Sequence, residues 1–232
     1  MKQIIQSLIM IFMVSGSVIA DVRILAVKGE VSIRRGVHEQ WTSASVGDIL
    51  KPEDSMRSGE NSTASILVDG TRKLVLPELV IIDISDLRYL TQEELLLKLA
   101  MEDIRSVPPR RSNDELIIPR TTTVHGADKG LSEEAVHANP AIGKMQLNGT
   151  RVLFEQGFYA TGVLKAKEVF RFFPDLKKRI DVRLIVADAL ERMKLNGEAI
   201  GEYAKLLSEN LTPEERTLVE QKLTQLRKKS EG

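Results

Sequence analysis

The sequence predicts an α+β chain of two modules. An all-β half spans 21–87 and an all-α half spans 150–232, joined by a helix and an extended linker over 88–149. From Val22 to Leu87, short β-branched runs alternate in hydropathy and are punctuated by glycine-bearing turns. From Thr150 onward the apolar spacing becomes helical. Ahead of both, residues 1–20 read as a secretory signal peptide. Lys2 gives a positive start, Ile4 to Val14 is apolar except for Gln6 and Ser7, and Val18 and Ala20 hold the −3 and −1 positions of a cut before Asp21. The stretch is too short and wrongly flanked for a transmembrane helix. Retention as an uncleaved anchor is the alternative.

Cleavage removes Lys2 and leaves 32 basic against 33 acidic residues, a balance with no pull toward nucleic acid or anionic membrane. The chain has no cysteine. That excludes a lipidated N-terminal Cys, a disulfide framework, a thiol nucleophile and zinc-finger ligands. Aromatic residues make up only 4%, which argues against a broad stacking surface for nucleic acid or sugars. After signal cleavage no transmembrane segment is expected, and the mature chain can bury two modest cores.

In the β half, Val22, Ile24 and Ala26 alternate along a first strand, and Val31 to Arg34 resumes the pattern after Lys28-Gly29. Arg35-Gly36 reads as the turn closing this hairpin-like pair. Trp41 stands alone in the polar run Glu39 to Ser43 and reads as a core plug under a loop, with an exposed platform as the alternative. Gly47 to Leu50 is a strand-turn unit closed by Lys51 to Asp54, and Arg57 to Ser62 reads as a second polar turn. Ala64 to Val68 is a strand, Asp69-Gly70 a hairpin turn, Lys73 to Leu76 its partner and Leu79 to Ile84 the last strand. Asp48, Glu53, Asp54, Glu60 and Asp69 lack EF-hand spacing, so each is expected to cap its own turn.

In the bridge, Thr91 and Glu94 form a capping box for a helix to about Arg105. Leu95, Leu96, Leu99, Ala100 and Ile104 make one face, and Leu97 and Met101 widen it toward two-sided packing. Pro108-Pro109 stops that helix, and Arg110-Arg111 opens a solvated loop. Leu116 to Gly126 is an extended, threonine-rich run that reads as an added edge strand. His125 and His137, with Asp128, Glu133 and Glu134 between them, lack metal-site spacing. Thr122 and Thr123 lack the elbow a nucleophile needs. Asn139 to Gly149 reads as linker.

In the α half, Gly157-Phe158-Tyr159 precedes a helix to Phe172 and Pro174, and Asn196-Gly197 precedes a second over Ala199 to Leu207. Thr212, Pro213 and Glu215 open a final helix whose stripe of Leu218, Val219, Leu223 and Leu226 suits sealing a helical stack.

The series Gly29-x-Val31, Trp41, Gly47-Asp48-x-Leu50, Arg57-x-Gly59-x-x-Ser62-x-Ala64 and Asp69-Gly70-Thr71 resembles the FecR-type periplasmic domain. Pro52-Glu53-Asp54 departs from it at one turn. In the α half, Ala187, Leu190, Ala199, Tyr203 and Leu206, and more loosely Gly157, Tyr159, Gly162, Ala166, Val169 and Pro174, resemble a degenerate pair of tetratricopeptide repeats. Gly162 and Ala199 lie 37 residues apart against the ~34 of that class, which implies a short insertion near Leu176 to Ile180.

These resemblances imply a periplasmic, non-enzymatic interaction or scaffold protein of the bacterial envelope, with an envelope protein as partner. One alternative is FecR-like sensing through a membrane partner, since only Met1-Lys2-Gln3 precedes the apolar run and direct contact with a sigma factor is not expected. Another is binding of peptidoglycan or a related polysaccharide. No cofactor, metal or catalytic residue is expected. The candidate contact residues are Trp41, Arg57 and Asn61 in the β half and Phe158, Tyr159 and Tyr203 in the α half.

Overall fold

The computed structural model describes residues 22–38, 40–105 and 139–231. The expected signal peptide over 1–20, the run from Leu116 to Gly126 and the His125–His137 segment lie outside the described residues. Eight strands come first: β1 (Val22–Lys28), β2 (Val31–Arg34), β3 (Trp41–Ser43), β4 (Ile49–Leu50), β5 (Ser55–Ser58), β6 (Thr63–Val68), β7 (Arg72–Leu76) and β8 (Val80–Asp83). They form two antiparallel four-stranded sheets, ordered β4-β1-β6-β7 and β3-β2-β5-β8. Among the described residues six α-helices follow: α1 (Gln92–Arg105), α2 (Pro140–Glu155), α3 (Tyr159–Phe172), α4 (Ile180–Arg192), α5 (Asn196–Leu207) and α6 (Pro213–Glu231). An N-terminal β region and a C-terminal helical region are therefore present, as the α+β expectation has it.

Alternation places Val22, Ile24, Ala64, Ile66, Val68, Leu74 and Leu76 of the first sheet against Val31, Ile33, Met56, Val80 and Ile82 of the second. The Asp69-Gly70 turn joins β6 to β7 with both residues at positive φ, 53° and 65°, the geometry this dipeptide favours. Two strand expectations change. β1 and β2 are not a hairpin, because β1 pairs with β4 and β6 in one sheet while β2 pairs with β3 and β5 in the other. The chain crosses between sheets at Gly29, where a Cβ would lie 2.4 Å from the Ser62 hydroxyl oxygen. Arg57-Ser58 belongs to β5 rather than to a turn. Its polarity hides an inner strand, since buried Ser58 donates to the Pro77 carbonyl (2.5 Å) and accepts from the Val80 N–H (3.2 Å).

Asp54 does the turn work expected of it. Its buried carboxylate accepts from the N–H groups of Gly36 (3.0 Å) and Lys51 (2.9 Å) and from the Arg35 guanidinium (2.9 Å). Burial acts to raise its pKa, but these donors outweigh it and hold the carboxyl below its ordinary range. A depressed acid stabilises the fold above its unfolded pKa, and that contribution is lost as pH falls through the folded value. Asp54→Asn is thus expected to cost about 2 kcal/mol near neutral pH and much less near pH 3, read by urea unfolding at both.

Both predicted capping boxes form. Thr91 and Glu94 exchange bonds of 3.1 and 3.2 Å at α1, and Thr212 and Glu215 exchange bonds of 2.9 and 3.2 Å at α6. The two-sided packing expected of α1 does not. Leu95 and Leu99 are buried, whereas Leu97, Met101 and Ile104 stay exposed.

The linker reading of Asn139 to Gly149 is overturned by α2. Asn139 caps it, its side chain accepting from the Ala141 N–H at 2.9 Å, and Pro140 takes the first turn, where its missing N–H costs nothing. Gly149 serves close packing rather than flexibility. β8 ends its sheet, and a carbonyl beside it and one within it face α2. Asn148 Nδ2 donates to the Leu79 carbonyl at 2.9 Å, and a Cβ on Gly149 would lie 2.0 Å from the Ile81 oxygen. The helix backbone thereby covers a strand edge that would otherwise be open to pairing. Val152, Leu153 and Phe158 then extend the β core, while α1 and the other helices share a second core.

Candidate interaction surfaces

Pairing register determines what the outer face of the second sheet presents. Arg34 lies opposite both Trp41 and Ser55, and Ser55 lies opposite Asp83. These four side chains form one row across the sheet, with Arg57 a step away on the same face. Trp41 is partly buried, not a core plug. The Arg57 guanidinium lies 4.7 Å and that of Arg34 5.4 Å from its ring centroid. The row ends under the helical half. Arg34 donates to the Ser55 hydroxyl (2.9 Å), Ser55 donates to Asp83 (2.6 Å), and Asp83 accepts from Lys165 of α3 (2.7 Å).

Lys165 is buried at the join of the two halves, and three carboxylates surround it: Asp83, Asp86 and Glu168. Burial opposes charge on Asp83, but Lys165 and the Ser55 hydroxyl prevail and hold its pKa below the usual range. Burial also opposes charge on Lys165, and the carboxylates overcome it, raising its pKa. Asp86 has no such bond. Burial, with the Asp83 and Glu168 charges added, pushes its carboxyl up to about 7 against the pull of Lys165. Thr161 of α3 completes the join by donating to the Asp86 main-chain carbonyl at 2.7 Å.

A second surface lies along α2, α4 and α6. Arg151, Phe154 and Glu155 of α2, Tyr159 and the α4 residues Ile185, Asp188 and Arg192 line a groove of about 570 Å³. Asp188 and Arg192 also line a hollow of about 280 Å³ that continues to Lys222 and Lys229 of α6. Lys222 is held by Asp188 (2.9 Å) and Glu191 (3.2 Å), and Arg151 pairs with Asp181. Arg192 and Lys229 have no ion-pair partner among the described residues, and the Arg192 guanidinium stands 5.9 Å from the Tyr159 ring centroid. The hollow on the other side, between α1, α3 and α5, is crossed by Arg171–Glu102 (3.0 Å) and Lys167–Glu202 (2.8 Å). Apart from Lys177, the charged side chains lining it are paired with one another or with neighbouring residues, so the α2–α4–α6 groove is the better surface for a partner.

The structure brings Trp41 and Arg57 together and leaves Tyr159 partly exposed in the groove. Asn61 lies past the other end of β5 with φ at 52°, its N–H bound to Glu78 at 2.5 Å. Phe158 and Tyr203 leave the contact set. Phe158 is buried in the β core, with its ring 5.2 Å from Tyr89. Tyr203 is wholly buried and donates its hydroxyl to Asp188 at 2.5 Å. Sequence reasoning missed Arg192, Lys165 and the Asp83–Asp86 pair. The i, i+3 pairing of Lys165 with Glu168 was visible, but its burial was not.

No family model, curated protein or solved structure matches the chain. Among the described residues no helix is long and apolar enough to cross a membrane, and no group of three His, Cys, Asp or Glu side chains could hold a metal ion.

Proposed function

We propose that the chain is an exported, non-enzymatic interaction protein of the bacterial envelope: a FecR-like β sandwich carrying two tetratricopeptide-like hairpins, α2–α3 and α4–α5, sealed by α6. One observation carries the repeat reading. Thr150 and Ala187, Leu153 and Leu190, Gly162 and Ala199, Ala166 and Tyr203, and Val169 and Leu206 each stand 37 residues apart, and every one is buried. A constant offset over five inward positions is what stacked copies of one supersecondary unit produce, because each must bury the same face. The short 3-10 turn over Pro174–Lys178 supplies the extra length between them.

Stacked hairpins leave a concave face, and here that face holds Tyr159, Arg192 and Lys229. The partner is a segment of another envelope protein laid along it. The polysaccharide reading has less support, since two guanidinium groups already crowd the Trp41 ring where a sugar would stack. Envelope sensing through a membrane partner would use the same groove.

Charge reversal tests the groove. Arg192→Glu with Lys229→Glu is expected to reduce partner recovery at least about tenfold while lowering the unfolding free energy by no more than about 2 kcal/mol, the cost of placing acids in the last turns of α4 and α6. Recovery by tagged pull-down from the envelope fraction that is unchanged by the pair would reject the groove as the contact surface.

A further inference from the structure

The join between the sandwich and the helices carries more acid than base. Facing Asp86 are Lys165 and Glu168 from α3, Asp83 from β8, and Arg88 from the chain beyond the 3-10 turn Ile84–Asp86; Arg88 itself pairs with Glu94 of α1 at 3.5 Å. Arg34 of β2 adds its charge to Asp83 from across the sheet. Lys165 lies 2.7 Å from Asp83 and 3.3 Å from Glu168, so its ammonium is committed to those two carboxylates. The Asp86 Oδ2 is out of contact with solvent and takes no hydrogen bond among the described residues. A buried carboxylate oxygen without a donor is costly when charged, and less so once it carries a proton.

We propose that this cluster is a proton-sensitive clamp: uptake of one proton by Asp86 removes the surplus negative charge at the join and tightens α3 against β8. The inference stands apart from the identity of any partner. Because the folded pKa of Asp86 is raised, the folded join binds a proton more tightly than the open one. The clamp is therefore strongest well below neutral pH and weakens as pH rises through about 7. Asp83 acts in the opposite direction, since its depressed pKa withdraws stability only in stronger acid. Between these limits acidification closes the join. In a chain whose groove helices hang on α3 and α2, such closure fixes how the groove is held relative to the sheet.

Hydrogen exchange on the full chain, corrected for intrinsic rates, reads this directly. Going from about pH 8 to about pH 5, protection of α3 and β8 amides is expected to rise about ten- to a hundredfold. Asp86→Asn, which mimics the neutral acid in size and shape, is expected to hold the high protection at both values. Equal pH dependence in the parent and the variant would overturn the proposal. Should the variant fold poorly, the Asp86 carboxyl can be titrated in the parent by carbon NMR. A midpoint near neutrality supports the clamp, and one in the ordinary carboxylate range overturns it.

Discussion

Gly149→Ala is expected to destabilise the chain by about 3 kcal/mol. The sign matters more than the size. Within a helix, alanine normally improves on glycine by about 1 kcal/mol, because glycine loses more backbone entropy on folding. Here the added methyl would lie 2.0 Å from the Ile81 carbonyl oxygen, far inside contact distance, and the obstacle is backbone rather than a flexible side-chain end. Helix α2 would have to lift from β8, losing the Asn148 bond to Leu79 and uncovering a strand edge. Chemical denaturation of the parent and variant decides it. A neutral or stabilising result would mean that α2 does not lie on β8.

Lys165→Met is expected to cost about 3 kcal/mol, because it leaves the charged, three-quarters buried Asp83 without its cation. The methionine keeps most of the chain length and apolar stem, so the loss reports charge more than volume. An Asp83→Asn background should recover much of it, since the pair then goes together. The double-mutant cycle measures the coupling, expected at about 2 kcal/mol. Additive single effects would mean that the two groups do not meet.

How far the sequence could be read follows from what each segment asks of its residues. Strands β1, β6 and β7 were legible because alternation and Asp69-Gly70 are local signals that burial does not override. β5 was not, since Ser55 and Ser58 are buried polar residues whose hydrogen bonds come from β8 and the chain before it, far along the sequence. α2 was lost to its glycines. Gly143 and Gly149 fall in the run that reads as linker, yet a Cβ on one would meet the Phe173 ring and on the other the Ile81 carbonyl. Asn139-Pro140 beside them is a local cap signal that favours the helix over a linker. In α1, Leu97, Met101 and Ile104 continue the apolar spacing that predicts two-sided packing, yet they stay exposed in the described fold.

The contact residues divide the same way. Trp41 and Arg57 meet because register puts them on one face, which their spacing did not reveal. Phe158 and Tyr203 look alike in sequence to any exposed aromatic, and only packing shows them buried. Lys165 and Asp86 come from opposite halves of the chain, so no local pattern could join them.

The central claim is that the groove along α2, α4 and α6 holds another envelope protein. Site-specific photocrosslinking in living bacteria, with the probe placed at Arg192 or at Lys178, tests it most directly. Lys178 lies on the 3-10 turn, outside the groove and exposed. The account predicts a reproducible envelope-protein adduct from position 192 and none from position 178. Equal adducts from both positions, or recovery only with the cell-wall sacculus, would contradict it.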